Sequence, residues 1–407
     1  MRIAVFRAAL AALVIPAGVG AQSLNLTEGE AVARLSLESP RARAARAGVE
    51  IARAEVLSAG RWPNPRFTYD RESVAGVTEN LVMVSQPLPI TGRRRFEIDA
   101  ASAMVGAMSS RADDEIRRLR ADLRLAFAEL VAAQNRERHL TTSRDRLGEL
   151  TDVLARREAA GDVAGFDRLR AEREVLDVDA DRALAATDRA RAQAVLASFF
   201  ADVPDPARIA AVPQPPTAAE VPTLEALVER AESMRGELLA FRREAEAAGF
   251  ALRAADRRRI PEPEIVAGTK SSTFGGGDIG SVVTVHASIP VFDRGRPERA
   301  LAAARAAQAD ARATAFRLVV RGQIGALRAA VLERRQLAQR YRAQAVSSAE
   351  QIERIAQVSY DAGERSILEL LDAYRTGLSA RVRQATLDAA VHQAEIELEF
   401  ASGWEIR

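Results

Sequence analysis

The sequence contains one short motif twice, once in each half. It reads SQPLPITGRRR at residues 85–95 and SIPVFDRGRPE at residues 288–298. Four matched pairs share the same spacing: Ser85 with Ser288, Pro87 with Pro290, Gly92 with Gly295, and Arg93 with Arg296. Proline removes a strand hydrogen bond and glycine frees the backbone, so each copy predicts a sharp elbow that joins a strand to a helix.

The duplication extends to both sides of the elbow. Thr27 matches Thr223, Gly161 matches Gly363, and Pro-Asn-Pro at 63–65 matches Pro-Glu-Pro at 261–263. Such internal similarity indicates one structural unit that occurs twice. Each unit is predicted to contain a helix, a β-hairpin, the elbow, a very long helix, a glycine-marked tip and a long returning helix. We therefore predict a mainly α fold with a small β part, in two repeats at 22–201 and 223–407 joined by a proline-rich linker at 202–222.

The first 21 residues have the features of a secretory signal peptide. Arg2 and Arg7 supply positive charge, residues 8–19 are apolar but too short to span a bilayer, and small residues precede Gln22. We predict cleavage after Ala21 and export of the mature chain. A short buried helix is the alternative interpretation of the same residues.

Composition narrows the possible functions. Because the chain has no cysteine, it has no disulfide, no thiolate metal site and no lipid-modified N-terminal cysteine. Its 58 basic and 56 acidic side chains nearly balance, which leaves no excess positive charge for nucleic-acid phosphates. After residue 21, no apolar run reaches the roughly 18 residues of a transmembrane helix.

Two segments, at 66–88 and 264–289, have the alternating periodicity of β-strands. In the second segment, Val283 and Val285 alternate with Thr284 and His286. Each segment predicts a hairpin, so one chain supplies four short strands. Four strands with an apolar face cannot close a barrel, and an open edge in a bilayer would leave backbone groups without partners. Closure of the sheet therefore requires several copies of the chain.

Long heptad patterns follow both elbows. Apolar residues recur with three-four spacing from 93 to about 160 and from 296 to about 360, which predicts two helices packed as coiled coils. The first of these helices would be about 100 Å long. We expect the seams to include Ile352 and Ile355 in the second long helix, and Phe166, Leu169, Leu176, Ile367 and Leu371 in the returning helices. A shorter helix is predicted at 27–59, and the linker is predicted to be irregular.

These features resemble those of the TolC-like outer membrane efflux factors, over nearly all of the mature chain. The resemblance rests on Pro-Asn-Pro at 63–65, QPLPITGRR at 86–94, SIPVFDRG at 288–295 and YDAGERSILELLD at 360–372. It implies a homotrimer whose twelve-stranded outer-membrane β-barrel continues into an α-helical barrel in the periplasm. The chain would be the passive exit duct of a tripartite efflux system, in contact with outer-membrane lipid, a periplasmic adaptor and an inner-membrane pump, for which the RND type is expected. The first elbow and the short length are more similar to the heavy-metal or cation branch, although drugs remain an alternative cargo.

The resemblance also implies roles for particular residues. Family members close their periplasmic end with a clamp, and the corresponding residues here are Asp167, Tyr360 and Arg365. The alternative is that Asp167 lies on a solvated, arginine-rich face. Gly161 and Gly363 would mark the tips that dock the adaptor. Glu369 and Asp372 share one helix face and would form acidic rings in the pore; the alternative is an ordinary exposed surface.

No catalytic chemistry is apparent in the sequence. His139, His286 and His392 lack the spacing of metal ligands and are expected to be isolated surface or lumen residues. No P-loop, nucleophile elbow or dinucleotide-binding motif is present, so we expect neither an enzyme nor a cofactor. A periplasmic adaptor or coiled-coil tethering protein is the alternative function, although an adaptor has one helical hairpin where this chain has two.

Overall fold

The computed structural model describes residues 23–36, 38–161, 165–201, 203, 205–215, 219–292 and 294–405. The predicted signal peptide at 1–21 lies outside these residues. Most of the described chain is helical, with one sheet of four strands and one of two. Within the described residues, no helix combines the length and the hydropathy needed to cross a bilayer.

The first half contains β1 (Leu24–Leu26), α1 (Glu28–Ala33), α2 (Pro40–Ala59), β2 (Arg66–Val74), β3 (Val77–Pro87), α3 (Arg93–Ala160) and α4 (Gly165–Ala197). The capping box of Thr27 and Glu30 starts α1 as predicted. The prediction of one helix over 27–59 is wrong, because α1 ends at Ala33 and Ser39 caps a new helix that begins at Pro40. Proline has no N–H and is favoured at the first position of a helix, so Pro40 starts α2.

The second half repeats this order with α5 (Leu224–Met234), α6 (Gly236–Arg257), β5 (Pro263–Ser272), β6 (Asp278–Ala287), α7 (Arg296–Tyr341), α8 (Ser347–Asp361) and α9 (Ile367–Ser402). A π-helical segment, Arg342–Val346, connects α7 to α8. Between the halves, β4 (Ile209–Ala211) pairs in parallel with β1. The linker is therefore not irregular throughout, and this pairing holds it against the start of the first repeat.

The hairpins of the two repeats form one antiparallel sheet. Its strand order is β2-β3-β5-β6, so the central pair joins one strand from each half of the chain. The register places Phe67 opposite Val84, Val84 opposite Ala267, and Ala267 opposite Val283. Strands β2 and β6 form the two outer edges of this sheet.

The long helices pack as two antiparallel hairpins. Helix α3 has 68 residues, which corresponds to about 100 Å. The seam predicted for α3 is confirmed at Leu140, Leu147 and Leu154, all of which are buried in the core between the helices. Helix α9 lies against both α3 and α7 and so joins the two helical hairpins.

The predicted seam of the second long helix fails after the π-helical segment. Ile352 and Ile355 are exposed, whereas Ala349, Glu353 and Ala356 are buried instead. A π turn holds more residues than an α turn and therefore rotates everything that follows about the helix axis. The buried face of α8 is displaced by about one residue for this reason.

The seam predicted for α4 is also wrong, because its residues do not pack against the other described helices of the same chain. Phe166, Leu169 and Leu176 are exposed, whereas Ala171 and Val178 are buried on the opposite face. In α9, Ile367 and Leu371 are buried as predicted. Helix α4 thus carries a second apolar stripe that the other described residues do not cover.

Candidate functional site

One face of the large sheet is apolar and exposed. The side chains that alternate onto this face include Phe67, Tyr69, Val82, Val84, Ile265, Val283 and Val285. Phe67 is 68% exposed and Val283 is 75% exposed, although both lie within strands. An exposed apolar surface of this extent on a sheet indicates contact with lipid or with another protein.

The opposite face of the sheet is charged. Asp70, Glu72, Glu79, Lys270 and His286 alternate with the apolar residues and therefore lie on this second face. The Lys270 ammonium lies 2.6 Å from the Glu79 carboxylate on the neighbouring strand. A sheet with one apolar face and one charged face has the alternation of a wall between lipid and water.

The outer edges of this sheet have no partner strand. Among the described residues, β2 pairs only with β3 and β6 pairs only with β5. Each edge therefore presents a row of unpaired N–H and C=O groups. The sheet is an incomplete wall that another strand can extend on either side.

The two predicted tip glycines end long helices. Gly161 caps α3 with a φ of 82°, and Gly363 follows α8 with a φ of 74°. Residues that carry a Cβ atom are strained at these positive φ angles, so both positions favour glycine. They allow each helical hairpin to turn within a few residues.

The three residues of the predicted clamp lie near these turns. The Arg157 guanidinium lies 5.8 Å from the centre of the Tyr360 ring. Burial raises the pKa of Tyr360, Arg157 opposes this effect, and the nearby Asp167 carboxylate adds to it. Arg365 donates to Glu369 at 2.7 Å. Among the described residues of one chain, Asp167 hydrogen-bonds neither Tyr360 nor Arg365, so the clamp stays a prediction.

The two predicted ring residues are exposed on one face of α9. Glu369 also accepts a hydrogen bond from the Ser366 N–H at 3.1 Å and completes the capping box of this helix. With Arg365 as its second partner, Glu369 has a structural role in addition to any role in a pore. No pairing of this kind involves Asp372 among the described residues.

Buried carboxylates near the tips were missed in the sequence. Glu353 of α8 accepts from Arg381 at 2.6 Å and from Arg146 of α3 at 3.4 Å. Glu174 of α4 accepts from Arg375 of α9 at 2.7 Å. These ion pairs connect helices of both repeats. No sequence signal marked them, because the predicted seams run through Ile352 and Leu176 and not through Glu353 and Glu174.

A second buried charge network joins the two halves farther from the tips. His392 Nε2 lies 2.8 Å from Glu28 Oε2, and Glu28 also pairs with Arg124. Burial alone would raise the pKa of Glu28, but hydrogen bonds from His392 and Arg124 outweigh burial and lower it to about 2. Burial alone would lower the pKa of His392, but bonds to Glu28 and Glu395 raise it to about 9. The expectation that His392 is isolated is therefore wrong.

These features define the class of protein. Two repeated helical hairpins carry a sheet that is charged on one face, apolar on the other and open at both edges, as expected of one segment of a channel wall. The family model described as "Outer membrane efflux protein" matches residues 32–200 and 227–404, and the chain belongs to this family.

Individual relatives are similar over nearly the whole chain. The cobalt-zinc-cadmium resistance protein CzcC of Cupriavidus metallidurans is 23% identical over 96% of this chain and 95% of its own. A membrane protein from Pseudomonas aeruginosa has a TM-score of 0.75 at 20% identity, with 92% of each chain covered. The CmeC outer membrane channel of Campylobacter jejuni has a TM-score of 0.74 at 15% identity, over 92% of this chain and 85% of its own.

Family membership resolves the broad question of function. The chain is an outer membrane efflux channel, and it acts as a passive duct rather than as an enzyme. The alternative of an adaptor or a tethering protein is not favoured, because the matches cover both repeats.

Proposed function

We propose that three copies of the chain assemble into one duct, the exit channel of a tripartite efflux system. The observation that carries this proposal is the four-stranded sheet with one apolar face, one charged face and two unpaired edges. Pairing β2 of one copy with β6 of the next would give twelve strands, within the range of roughly 8 to 26 strands in membrane barrels. Closure would satisfy every edge hydrogen bond, which the bilayer requires.

The helical part would close in the same way and project into the periplasm. Exposed apolar side chains follow α4 at Phe166, Leu169, Leu176 and Leu184, and α8 at Ile352, Ile355 and Val358. Both stripes lie on helices at the outside of the four-helix arrangement, since α3 and α9 form its centre. Packing α4 of one copy on α8 of the next would bury both stripes in a continuous helical barrel.

The tips would form the periplasmic gate. Asp167 lies close enough to Tyr360 to affect its pKa, and Arg365 is exposed beside it. We place the clamp between neighbouring copies, with Asp167 of one copy accepting from Arg365 of the next. Glu369 and Asp372 would then form acidic rings just inside the gate and favour cations.

We also propose partners and cargo. The turns at Gly161 and Gly363 would dock a periplasmic adaptor that is bound to an inner-membrane pump of the RND type. Heavy-metal cations are favoured over drugs as cargo, because the chain resembles a cobalt-zinc-cadmium resistance protein along its full length. The duct would need no metal site of its own for this role.

Fractionation and conductance measurements test the assembly. We expect the full-length protein in the outer-membrane fraction, as a trimer after detergent extraction, with defined single-channel conductance in planar bilayers. CzcC-like function would further require that deleting the gene lowers resistance to cobalt, zinc or cadmium. A soluble periplasmic monomer that conducts no ions would contradict the proposed duct and favour the tethering protein.

A further inference from the structure

Four segments connect the large sheet to the helices, and all lie at the same end of the sheet. We call these four segments the junction belt: residues 60–66, 87–97, 257–264 and 287–299, the last without residue 293, which is not described. The Leu88 N–H donates to Pro263 O at 2.9 Å, and Thr91 Oγ1 donates to Glu262 Oε1 at 2.9 Å. Gln86 Nε2 of β3 donates to Pro63 O at 2.9 Å. These bonds hold the segments of both repeats together as one surface.

The exposed charges of the junction belt are all positive. Seven of its arginines are exposed and form no ion pair with any described residue: Arg61, Arg66, Arg95, Arg257, Arg259, Arg294 and Arg296. The belt's described carboxylates are half-buried instead. Glu262 lies 3.0 Å from Arg93, and Glu298 lies 2.8 Å from Arg258. Among the described residues of the belt, these seven exposed guanidinium groups therefore have no compensating carboxylate.

Large apolar side chains lie among these arginines. Phe292 is 97% exposed, and the other exposed members are Trp62, Ile90, Ile260, Ile289 and Val291. The Arg94 guanidinium lies 5.3 Å above the Trp62 ring. At a membrane surface, aromatic and aliphatic groups lie below the headgroups while arginine side chains extend to the phosphates. Water alone would hydrate the guanidinium groups but would leave the large apolar side chains exposed.

We propose that the junction belt binds the headgroups of anionic phospholipids. The inference rests on the proposed duct, which places this end of the sheet at a membrane surface. A zwitterionic headgroup offers arginine a phosphate but also presents an ammonium group, whereas an anionic headgroup has net negative charge. A protein partner would need exposed carboxylates facing the belt. The belt would set the depth of the trimer in the membrane without a lipid-modified cysteine.

Trp62 provides a direct probe of this contact. The chain has two tryptophans, and the Trp404→Phe variant leaves Trp62 as the only one. We would reconstitute this trimer in vesicles of phosphatidylcholine with a minor fraction of phosphatidylglycerol. One sample contains brominated phosphatidylglycerol, and the other contains the same mole fraction of brominated phosphatidylcholine. We expect Trp62 fluorescence to be quenched at least about two-fold more by the brominated anionic lipid.

Arginine variants test whether the preference for anionic lipid comes from the belt or from the overall charge of the protein. Changing Arg95, Arg259, Arg294 and Arg296 to Gln should equalise the two quenching values while conductance persists. The matched control changes four exposed helix arginines that form no ion pair with any described residue, Arg191, Arg340, Arg354 and Arg383, and should retain the preference.

Three results would overturn the inference and leave the duct intact: equal quenching by both lipids in the Trp404→Phe trimer, no quenching by either lipid in a conducting trimer, or an equal loss of preference in the control. A non-conducting monomer would instead remove the proposed duct, and the inference with it.

Discussion

At the scale of single residues, the helical interfaces depend on buried charge as well as on leucine. Glu353 meets two arginines between α3, α8 and α9, and Glu28 meets His392 and Arg124 where the halves join. A buried carboxylate is costly unless its partners are in place, so these pairs specify which helices meet and in which register. Their effects can be measured one residue at a time.

The pair of His392 and Glu28 predicts a pH dependence of stability. The His392 pKa is raised from 6.5 to about 9 in the folded protein, so its contribution is fully present below pH 6.5 and is lost as pH rises through about 9. The His392→Gln variant should lose on the order of 1 kcal/mol below pH 6.5, because solvent reaches the imidazole and screens its pair with the buried Glu28. The melting temperature, measured by circular dichroism between pH 6 and about 9.5, should fall with rising pH in the wild type and stay constant in the variant. A parallel decline in both proteins would contradict the assignment.

Gly377 allows the close approach of Glu353. A Cβ atom at position 377 would lie 1.4 Å from Glu353 Oε1, so Gly377→Ala must displace a buried carboxylate from its arginines. We expect the free energy of unfolding to fall by about 1–3 kcal/mol. The matched control is Gly148→Ala in α3, where no atom lies within 4 Å of the added Cβ. There the higher helix propensity of alanine should leave stability unchanged or raise it by up to about 1 kcal/mol. Equal effects at both sites would rule out the steric explanation.

The proposed clamp predicts a change in conductance. Combining Tyr360→Phe with Arg365→Ser removes the phenol near Asp167 of the same chain and the guanidinium that would hold Asp167 of a neighbouring copy. A charge-assisted hydrogen bond contributes about 1.5–3 kcal/mol, which is enough to hold a tip closed. Single-channel conductance in planar bilayers should therefore rise in the double variant. Because Arg365 also bonds Glu369, the control is Glu369→Gln, which should leave the closed state largely intact.

At the scale of elements, the long helices and the strands were predictable because their periodicity is local. The capping box at Thr27, the ends of α3 and the alternation around Val283 are all encoded within a few residues of the feature itself. The burial of Ile352 was predicted wrongly, because no local signal marks the π-helical segment that rotates α8. The ion pairs of Glu353 and Glu28 were missed, because their partners are distant in the sequence. The sequence thus indicated the elements well and their mutual orientation poorly.

The apolar stripe of α4 was predicted to be a seam within the chain, and it now predicts a contact between copies. Leu176 lies in the middle of this stripe and is 65% exposed in one chain. Leu176→Glu should leave the helices folded but weaken assembly, because burying an unpaired carboxylate is unfavourable by several kcal/mol. Trimer content can be followed by cross-linking and by gel filtration in detergent. The control is Ala47→Glu, at an exposed position of α2 that is not part of the stripe, where normal assembly is expected.

At the scale of the whole molecule, the orientation of the sheet determines whether the chain can reside in a bilayer. Val283 and Thr284 are neighbours on β6 but lie on opposite faces of the sheet. A lysine on the lipid face of a barrel is unfavourable by about 2–4 kcal/mol at mid-membrane, whereas a lysine on the lumen face remains hydrated. Val283→Lys should therefore reduce the amount of trimer in the outer-membrane fraction, and Thr284→Lys should leave it near the wild-type amount. The reverse result would invert the faces of the proposed barrel.

The pairing of β3 with β5 joins the hairpins of the two repeats side by side. A half-length ancestor with a single hairpin would have needed a ring of six identical subunits to reach the same circumference. Fusion of two such genes would have fixed unlike hairpins next to each other, so that equivalent positions around the proposed ring would fall into two alternating classes. Among the described residues, only the helical hairpin of the second repeat contains a π-helical segment, so one set of hairpins in the proposed ring would differ in shape from the other.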